Sequence, residues 1–489
     1  MLFKNESPWL HQLARTRTAE PLIEDAATDV VIVGGGIAGI ATAYFTLRYT
    51  HKKVLLVEAG NIAHGATGHN GGFLATYFER SFKSLVQEFG MSMAAEGQRD
   101  VESAWELLAE IRTEAQLKTP VWQFTGYAAL PTAEEFLIHL RNNALREKAG
   151  LAVPKILVSE EWKGLSNIPG VYKRLYSLVP KADLLALIES KDEEYFAALP
   201  EQKGCMNSAV FCEELVGFLL AHYNDRFTLA EQTPITRLVL EDNKAILYTD
   251  KRLRVIASHV VLCTNGFENI KIVNKAGDNI NKKFHHLVRG IVGYMAGYVE
   301  ESAKPAAEIS YLSKSVLHGG DVYTEDPYFY LTRRPYATEG TENSLISIGG
   351  PEALMDDTNN YTVDHEFPRE AREQVDNFLR YTYKHGRGDA IEYKFLWHGL
   401  MGFTPNGVRL VGPEPLNPVL LYNLGCNGVG LMPSIFGGRK ISRFLAGEQL
   451  SPSIFDPKDL RQSGKKRVAS HRKMKYLSRH GVTLKNKAN

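Results

Sequence analysis

Residues 29–58 read DVVIVGGGIAGIATAYFTLRYTHKKVLLVE, and this stretch decides the fold of the chain. Residues 30–33 are apolar and β-branched, which is typical of a strand buried on both faces. Gly34, Gly36 and Gly39 follow with the spacing G-x-G-x-x-G. Glycines at this spacing allow a tight turn, close approach of the backbone to a pyrophosphate, and close helix–strand packing. Residues 40–49 then predict a helix, and residues 53–57 predict a second strand closed by Glu58.

This β-α-β unit predicts a bound dinucleotide. The N-terminus of its helix would hold phosphates through free N–H groups and the helix dipole. The carboxylate of Glu58 can accept hydrogen bonds from both ribose hydroxyls and would repel a 2′-phosphate, which favours FAD or NAD over NADP. The alternative is a glycine-rich turn without a ligand. We expect the ligand, because strand, helix, second strand and terminal acid are all in register.

The composition is that of an ordinary globular protein. The chain has 489 residues and is 44% hydrophobic, which suggests two or more domains. No run of about 18 apolar residues predicts a membrane span, and the first residues lack the apolar core of a secretory signal. The cysteines are scattered, which predicts reduced thiols in the cytoplasm and neither disulfides nor a metal site. They are Cys205, Cys212, Cys263 and Cys426.

Strand patterns of one sheet recur near the start, middle and end of the chain, which predicts two interleaved domains. The glycine-rich segment AHGATGHNGG at residues 63–72 would let the backbone pass close to a flat ligand. Trp9 and Leu10 could anchor the leader, which could equally be a loose terminus. The expected parts are a leader (1–28), a dinucleotide domain (29–85, 205–280 and 395–456), a substrate domain (86–204 and 281–394) and a basic tail (457–489).

Three stretches resemble the D-amino-acid-oxidase-type FAD-dependent oxidoreductases, over roughly residues 7–456. They are DVVIVGGGIAGIATAYF, GATGHNGG, and WHGLMGFTPNGVRLVG with the later LYNLGCNGVGLMPSIFGGRKISRFLAGE. GATGHNGG and the leader sequence SPWL are most similar to the γ-glutamylputrescine-oxidase-like branch. The resemblance implies an α/β fold in which an FAD-binding Rossmann-like domain of the glutathione-reductase type is interleaved with a mixed-sheet α+β substrate domain.

The resemblance also implies which residues bind FAD. The helix that follows Met432, the last of these residues, would direct its positive end at the flavin and stabilise charge on the reduced ring. His69 aligns with a histidine that is joined covalently to the flavin in the dimethylglycine dehydrogenase group. The resemblance thus implies a covalent bond, and the alternative is an imidazole ring packed beside the flavin. The implied residues are Gly34, Gly36, Ile37, Gly39, Glu58, Ala59, Ala66, Thr67, Gly68, His69, Asn70, Gly71, Gly72, Ile235, Thr264, Gly428, Val429, Gly430, Leu431 and Met432.

The chain departs from this family on the substrate side. The departures argue against a simple amino-acid substrate and leave the electron acceptor open. Arg333, Arg334 or Arg409 could still meet a carboxylate, and the alternative for each is a structural charge. The residues that replace substrate- or oxygen-handling groups of family members are Met401, Asn406, Val429, Met432 and Ser347, while Gly399 replaces a flavin-linking cysteine.

The expected reaction is oxidation of the C–N bond of an amine or amino acid. A hydride passes from the α-carbon to flavin N5, water hydrolyses the imine, and O2 is the expected acceptor. The candidate catalytic residues are Tyr328, Tyr330, Trp397 and Arg333. Three alternatives stay open: a dehydrogenase with another acceptor, an RNA-modifying flavoenzyme, and a non-catalytic flavin-binding module.

The tail is unlike the rest of the chain in charge. Residues 458–489 hold eleven of the 57 Lys and Arg residues but only one of the 56 acids, so the remainder carries a net charge of −9. With few apolar residues to bury, the tail is expected to be mobile, either solvated or in contact with an acidic surface. Deletion after Pro457 is expected to leave flavin content and amine turnover nearly intact.

Overall fold

A computed structural model describes residues 5–267, 270–280, 288–313, 328–338, 341–355, 361–383 and 391–458. The tail from residue 459 onward, and with it the deletion prediction, lies outside the described residues. None of the helices in these ranges is both long and apolar enough to cross a bilayer. The mixed α/β fold expected from the sequence is confirmed, with its strands arranged in two large sheets.

The strands are β1 (Ala26–Val33), β2 (Val54–Val57), β3 (Phe73–Leu74), β4 (Val121–Leu130), β5 (Ile156–Ser159), β6 (Tyr176–Val179), β7 (Ala197–Met206), β8 (Phe227–Ala230), β9 (Ile235–Leu240), β10 (Ala245–Thr249), β11 (Arg254–Leu262), β12 (Lys271–Asn274), β13 (Arg289–Glu300), β14 (Ala307–Tyr311), β15 (Phe329–Thr338), β16 (Thr341–Leu354), β17 (Phe395–Phe403), β18 (Leu410–Glu414) and β19 (Asn417–Leu424).

The α-helices are α1 (Pro8–His11), α2 (Ile37–Tyr49), α3 (Phe82–Phe89), α4 (Met91–Glu102), α5 (Ala104–Glu114), α6 (Ala133–Lys148), α7 (Lys181–Leu187), α8 (Ser208–His222), α9 (Arg369–Tyr381) and α10 (Leu431–Leu445). Short 3₁₀ helices span Lys163–Asn167 and Gly170–Leu175.

The first sheet has the order β12-β9-β10-β11-β1-β2-β8, with β19 beside β11 and β18 beside β19. Strand β1 lies between β11 and β2, and both pairings are parallel. Helix α2 packs tightly on α10, because a Cβ added at Gly438 would lie 2.8 Å from the backbone of Ala41. The sheet therefore brings the turns after β1 and β19 to the same side of the molecule.

The second sheet has the order β17-β13-β16-β15-β14-β4-β7-β5-β6, with β3 beside β7. Its cross-strand register places Tyr330, Gly349, Met295 and Trp397 on one face, which we call the inner face. The opposite, outer face packs against helix α9 through an apolar cluster that includes Phe378. Side chains that alternate along these strands therefore face either the cavity described below or the core under α9.

The predicted domain boundaries need two corrections. Strand β17 was expected in the dinucleotide domain but belongs to the second sheet, where it pairs with β13. Helices α4 and α5 were expected in the substrate domain, but Val101, Trp105 and Leu108 lie in the same apolar core as α2 and α10. The first core therefore includes α4 and α5, which lie beyond the predicted boundary at residue 86.

The leader is part of the folded body. Trp9 is fully buried, and its indole Nε1–H donates a 2.6 Å hydrogen bond to the carbonyl oxygen of Asn70. The side chain of Ser7 caps α1 by accepting from the backbone N–H of Leu10. The sequence left two expectations for residues 1–28, an anchored leader or a loose terminus. The anchored leader is correct for the part that the structure describes, which begins at residue 5.

Candidate functional site

A cavity of about 510 Å³ lies between the first sheet and the inner face of the second. The β1–α2 turn, the 63–72 loop and the β19–α10 turn form one part of its wall, and Tyr330 and Met295 form another. Most of the residues predicted to bind FAD therefore meet around one space. Those that line it are Gly34, Gly36, Ile37, Glu58, Ala59, Ala66, Thr67, His69, Asn70, Gly71, Ile235, Thr264, Gly428, Val429, Gly430 and Leu431.

The other four predicted residues do not line the cavity but allow its walls to approach each other. A Cβ at Gly39 would lie 1.9 Å from the carbonyl oxygen of Gly34, so only glycine lets α2 start this close to β1. A Cβ at Gly72 would lie 2.2 Å from the ring of Trp9. Gly68 is crowded by Leu10 in the same way, and Met432 is buried in the core behind the cavity.

The N-terminus of α2 opens directly onto the cavity. Its N-cap is Gly36, which has no side chain to bond the free N–H groups of the first turn. Among the described residues, a side chain bonds just one N–H of this first turn, that of Ile37, which donates to the hydroxyl of Thr67 at 3.0 Å. The remaining backbone N–H groups of the first turn, together with the helix dipole, thus suit an anionic group such as a diphosphate.

Glu58 lies at the end of β2, as the sequence predicts. Its carboxylate accepts hydrogen bonds from the backbone N–H groups of Gly35 at 2.6 Å and Gly60 at 2.8 Å. Burial raises the pKa of Glu58, although the two N–H donors oppose this effect. The side chain is therefore fixed at the cavity wall, where a ribose hydroxyl could donate to its remaining lone pairs.

The 63–72 loop is held in place by Asn70. The side-chain amide of Asn70 donates to the carbonyl oxygen of Ala66 at 3.2 Å and to Ser208 Oγ at 3.0 Å, and its Oδ1 accepts from the N–H of Gly72 at 2.6 Å. These bonds satisfy the polar groups of a segment that forms no strand or helix. The loop thus presents a rigid surface to the cavity.

His69 is a neutral imidazole at the cavity wall. Its Nδ1 lies 3.0 Å from the carbonyl oxygen of Gly65, which can only accept, so Nδ1 carries the proton. Burial lowers the pKa of His69, partly opposed by nearby backbone carbonyls that include that of Gly65. Gly399 of β17 packs against it, since a Cβ there would lie 2.5 Å from the carbonyl oxygen of His69.

The N-terminus of α10 forms the opposite end of the site. Its N-cap, Gly430, has no side-chain hydrogen bond to the first turn, and Gly428 adopts φ 83°, a conformation that favours glycine. Two uncapped helix N-termini, those of α2 and α10, therefore open onto one cavity. This pair of positive dipole ends fits a long ligand that carries negative charge at two separate places.

Arg409 places a buried positive charge at the same wall. Its guanidinium is 5% exposed and donates to the side chain of Asn423 at 2.7 Å and to the carbonyl oxygen of the same residue at 2.8 Å. Burial lowers the pKa of Arg409 to about 10. No ion pair joins this guanidinium to an acid in the described part of the chain, so an anionic ligand would complete its environment.

The remaining substrate-side candidates divide between the two faces of the second sheet. Tyr330 lines the cavity, and the fully buried Trp397 lies behind it with Nε1 3.3 Å from the carbonyl oxygen of Asn70. Arg334 also lies on the inner face but stacks on Trp9 at 4.6 Å. Arg333 points to the outer face, where it pairs with Glu189 at 2.7 Å, which corrects the expectation that it could reach a substrate.

Two glutamates beside the cavity were not predicted. Glu79 contacts Gly428, because a Cβ added there would lie 2.9 Å from Cγ of Glu79. Tyr328, a predicted candidate, donates from its hydroxyl to Glu79 Oε1 at 3.0 Å. Glu352 lies opposite Gly293 in the β13–β16 pairing, and Gly293 lines the cavity. No local sequence pattern marks either glutamate, since each reaches the site only through the tertiary fold.

These features define an architecture suited to binding a dinucleotide. Residues 29–443 match the DAO family of FAD dependent oxidoreductases, and the chain belongs to that family, which confirms the resemblance seen in the sequence. The wall described above fits FAD, because two uncapped helix ends and the buried Arg409, which has no ion pair within the described residues, suit the negative charge of a flavin dinucleotide.

Comparison with known proteins agrees with this assignment. Over 75 residues the chain is 35% identical to γ-glutamylputrescine oxidoreductase of Escherichia coli (strain K12), a match that covers 15% of this chain and only 17% of that protein. The crystal structure of glycine oxidase from Geobacillus kaustophilus is 15% identical with a TM-score of 0.60, covering 88% of this chain and 99% of that one. For L-proline dehydrogenase from P. horikoshii the identity is 17% and the TM-score 0.61, with coverages of 90% and 99%. At these identities the two structures show a shared fold.

Proposed function

We propose that this protein uses FAD to oxidise the C–N bond of a small amine or amino acid. The observation that supports this most directly is the single cavity in which a dinucleotide-binding wall faces Tyr330 and Met295 of the second sheet. The structural neighbours named above include a glycine oxidase and an L-proline dehydrogenase, which supports oxidation of a carbon next to nitrogen without selecting the substrate. FAD, when bound, accepts two electrons as a hydride from the substrate carbon, and water then hydrolyses the substrate imine.

In this proposal the residues of the chain bind the substrate and orient it. The N–H groups at the start of α10 would stabilise negative charge that develops above them. Tyr330, Met295 and the underlying Trp397 would exclude water and hold the substrate carbon in place. An amine that binds without its proton needs no strong base, so the lack of a predicted acid–base pair is consistent with this chemistry.

The proposal is tested by adding a panel of primary and secondary amines and amino acids to the holoenzyme without oxygen. We expect at least one class of amine to bleach the flavin absorption. A protein that binds stoichiometric FAD which no amine reduces would contradict the proposal and favour the non-catalytic module. Oxygen uptake compared with reduction of an artificial dye then separates O2 from another acceptor.

His69 gives a second test, because its ring lines the cavity. We expect His69→Ala to lower FAD content or to shift the flavin absorption spectrum, whereas His64→Ala, in the same loop but outside the lining, should do neither. Acid precipitation of the wild type tests the bond itself. Colour in the pellet would support a covalent His69–flavin link, and colour in the supernatant would reject it. Unchanged FAD content and spectrum in His69→Ala would contradict contact with the flavin.

The dehydrogenase alternative shares this site and differs only in the acceptor. The RNA-modifying alternative is suggested by the basic tail alone, and this tail lies outside the described residues after Lys458. For the compartment we propose the reducing cytoplasm, since the described structure leaves all four cysteines as free thiols.

A further inference from the structure

The side of the cavity that the second sheet forms differs in character from the dinucleotide side, and we call it the substrate wall. Within the described part of the chain, none of the second-sheet residues that line the cavity is charged. The side chains of this wall are Phe73, Met295, Tyr330 and Met401. Because FAD would occupy the opposite side, where the two uncapped helix ends lie, the substrate wall is the part left to receive the substrate.

A pair of glycines makes room in this wall. Gly293 of β13 pairs with Gly399 of β17, and both residues line the cavity. The backbone of His69 lies close to Gly399, whereas the terminal methyl group of Met401 would lie 3.1 Å from a Cβ added at Gly293. The wall therefore has a recess next to His69, bordered by Met401 and, two residues further along β13, by Met295.

Tyr330 brings a hydroxyl group to the substrate wall. This hydroxyl donates to Sδ of Met295 at 3.0 Å, and the ring of Phe73 meets the Tyr330 ring edge to face at 5.5 Å. Burial raises the pKa of Tyr330, so the hydroxyl is neutral at physiological pH. Its proton is engaged by Met295, but its oxygen keeps lone pairs that can accept an N–H from a neutral amine.

The arginines that could bind a substrate carboxylate do not reach the substrate wall. Arg333 forms its ion pair on the outer face of the second sheet. Arg334 stacks on Trp9 and donates to the side-chain oxygen of Gln12. Arg409 does line the cavity, but it lies on the side of the first sheet, just before β18. A carboxylate buried against the substrate wall would therefore lose its hydration without gaining a cationic partner.

We propose that the substrate wall binds an apolar alkyl or aryl group, so that the substrates are lipophilic amines without a carboxylate and not amino acids. This inference rests on the proposed amine oxidation and specifies its substrate class. The neutral nitrogen donates to the hydroxyl of Tyr330, and the apolar body lies between Met295 and Met401. Thioether and aromatic side chains suit such a body, because they are polarisable and thioethers adapt to its shape.

The test compares amines with the amino acids that differ from them only by a carboxylate, in anaerobic reduction of the holoenzyme flavin. The pairs are phenethylamine with phenylalanine and pentylamine with norleucine, each amino acid being supplied as both enantiomers. We expect each amine to half-saturate the reduction at a concentration at least about tenfold lower than its partner, equal to about 1.4 kcal/mol. From propylamine to pentylamine, each added CH₂ group should lower that concentration about fourfold, equal to about 0.8 kcal/mol.

Substitutions at Met401 test where the apolar body lies. Met401→Leu keeps an apolar side chain and should keep the preference for amines. Met401→Gln has a similar volume but places an amide against the alkyl chain, so it should raise the half-saturating concentration of pentylamine by about fivefold or more. Met93→Gln is the matched control and should keep the wild-type values, because Met93 is also half-buried but packs against the first core and does not line the cavity.

The outcomes separate this inference from the proposed function. If neither amines nor amino acids reduce the flavin, the proposed function itself fails. Amino acids that act at concentrations as low as those of their paired amines would leave C–N oxidation standing and overturn the lipophilic substrate class. It is also overturned if longer alkyl chains bring no gain, or if folded, FAD-loaded Met401→Gln handles pentylamine as the wild type does. If Met401→Gln does not fold, the wild-type pairs and Met401→Leu decide.

Discussion

Replacement of Trp9 by alanine is expected to lower the free energy of unfolding by about 3–5 kcal/mol, the usual cost of truncating a fully buried tryptophan. The indole of Trp9 fills the space beside Gly72, meets Trp397 edge to face at 6.5 Å, and holds the carbonyl of Asn70. Its loss would leave a cavity directly behind the 63–72 loop. We therefore expect FAD content to fall together with stability.

The control is Trp162→Ala, because Trp162 also packs on aromatic rings, stacked 4.0 Å from Phe196, but belongs to a different apolar cluster from Trp9. Both variants should unfold at lower denaturant concentration, while only Trp9→Ala should release FAD from protein that is still folded. Trp9→Phe should have a stability and an FAD content between those of the wild type and Trp9→Ala, since phenylalanine keeps most of the volume but loses the Nε1–H donor. If Trp9→Ala binds FAD as tightly as the wild type, the leader does not support the site.

The dinucleotide unit could be predicted because its signals are local. Strand, turn, helix and terminal acid follow one another within residues 29–58, and each glycine has a steric reason that the structure shows directly. The second glycine-rich loop was predicted for the same reason, and Ala66, Thr67 and His69 line the cavity. The sequence left open whether the leader is anchored to the body or is a loose terminus, because a single tryptophan does not show which residues will cover it.

Side-chain direction in the second sheet could not be predicted from sequence. Arg333 and Arg334 are neighbours on β15 and must point to opposite faces, but the sequence does not say which one faces inward. The glycines of strand β17 are points of close approach, since a Cβ at Gly402 would lie 2.1 Å from the carbonyl oxygen of Asn265. The register of β13 on β16 also shifts between Gly293 and Met295, which no sequence pattern indicates.

Lys203→Met is expected to destabilise the protein by about 3–5 kcal/mol, because it leaves a buried carboxylate without its partner. The side chains of Lys203 and Glu308 are both fully buried and ion-paired, and Glu201 lies 3.2 Å from the ammonium group. Burial alone would lower the pKa of Lys203, but these two carboxylates outweigh burial and raise it. Lys203 is therefore charged at neutral pH, and methionine can replace its volume but not its charge.

The matched control is Lys244→Met, which breaks a half-exposed pair with Glu241 and should cost at most about 1 kcal/mol. In Lys203→Met the pKa of Glu308, already raised by burial, loses the opposing effect of the lysine and rises further. A carboxyl with a raised folded-state pKa is tolerated when protonated, so the deficit should shrink as the pH falls through that pKa and grow above it. Denaturant unfolding across acidic and neutral pH measures this trend, and Glu308→Gln added to Lys203→Met should recover most of the loss at neutral pH. A Lys203→Met protein as stable as Lys244→Met at neutral pH would show that the buried pair contributes no net stability.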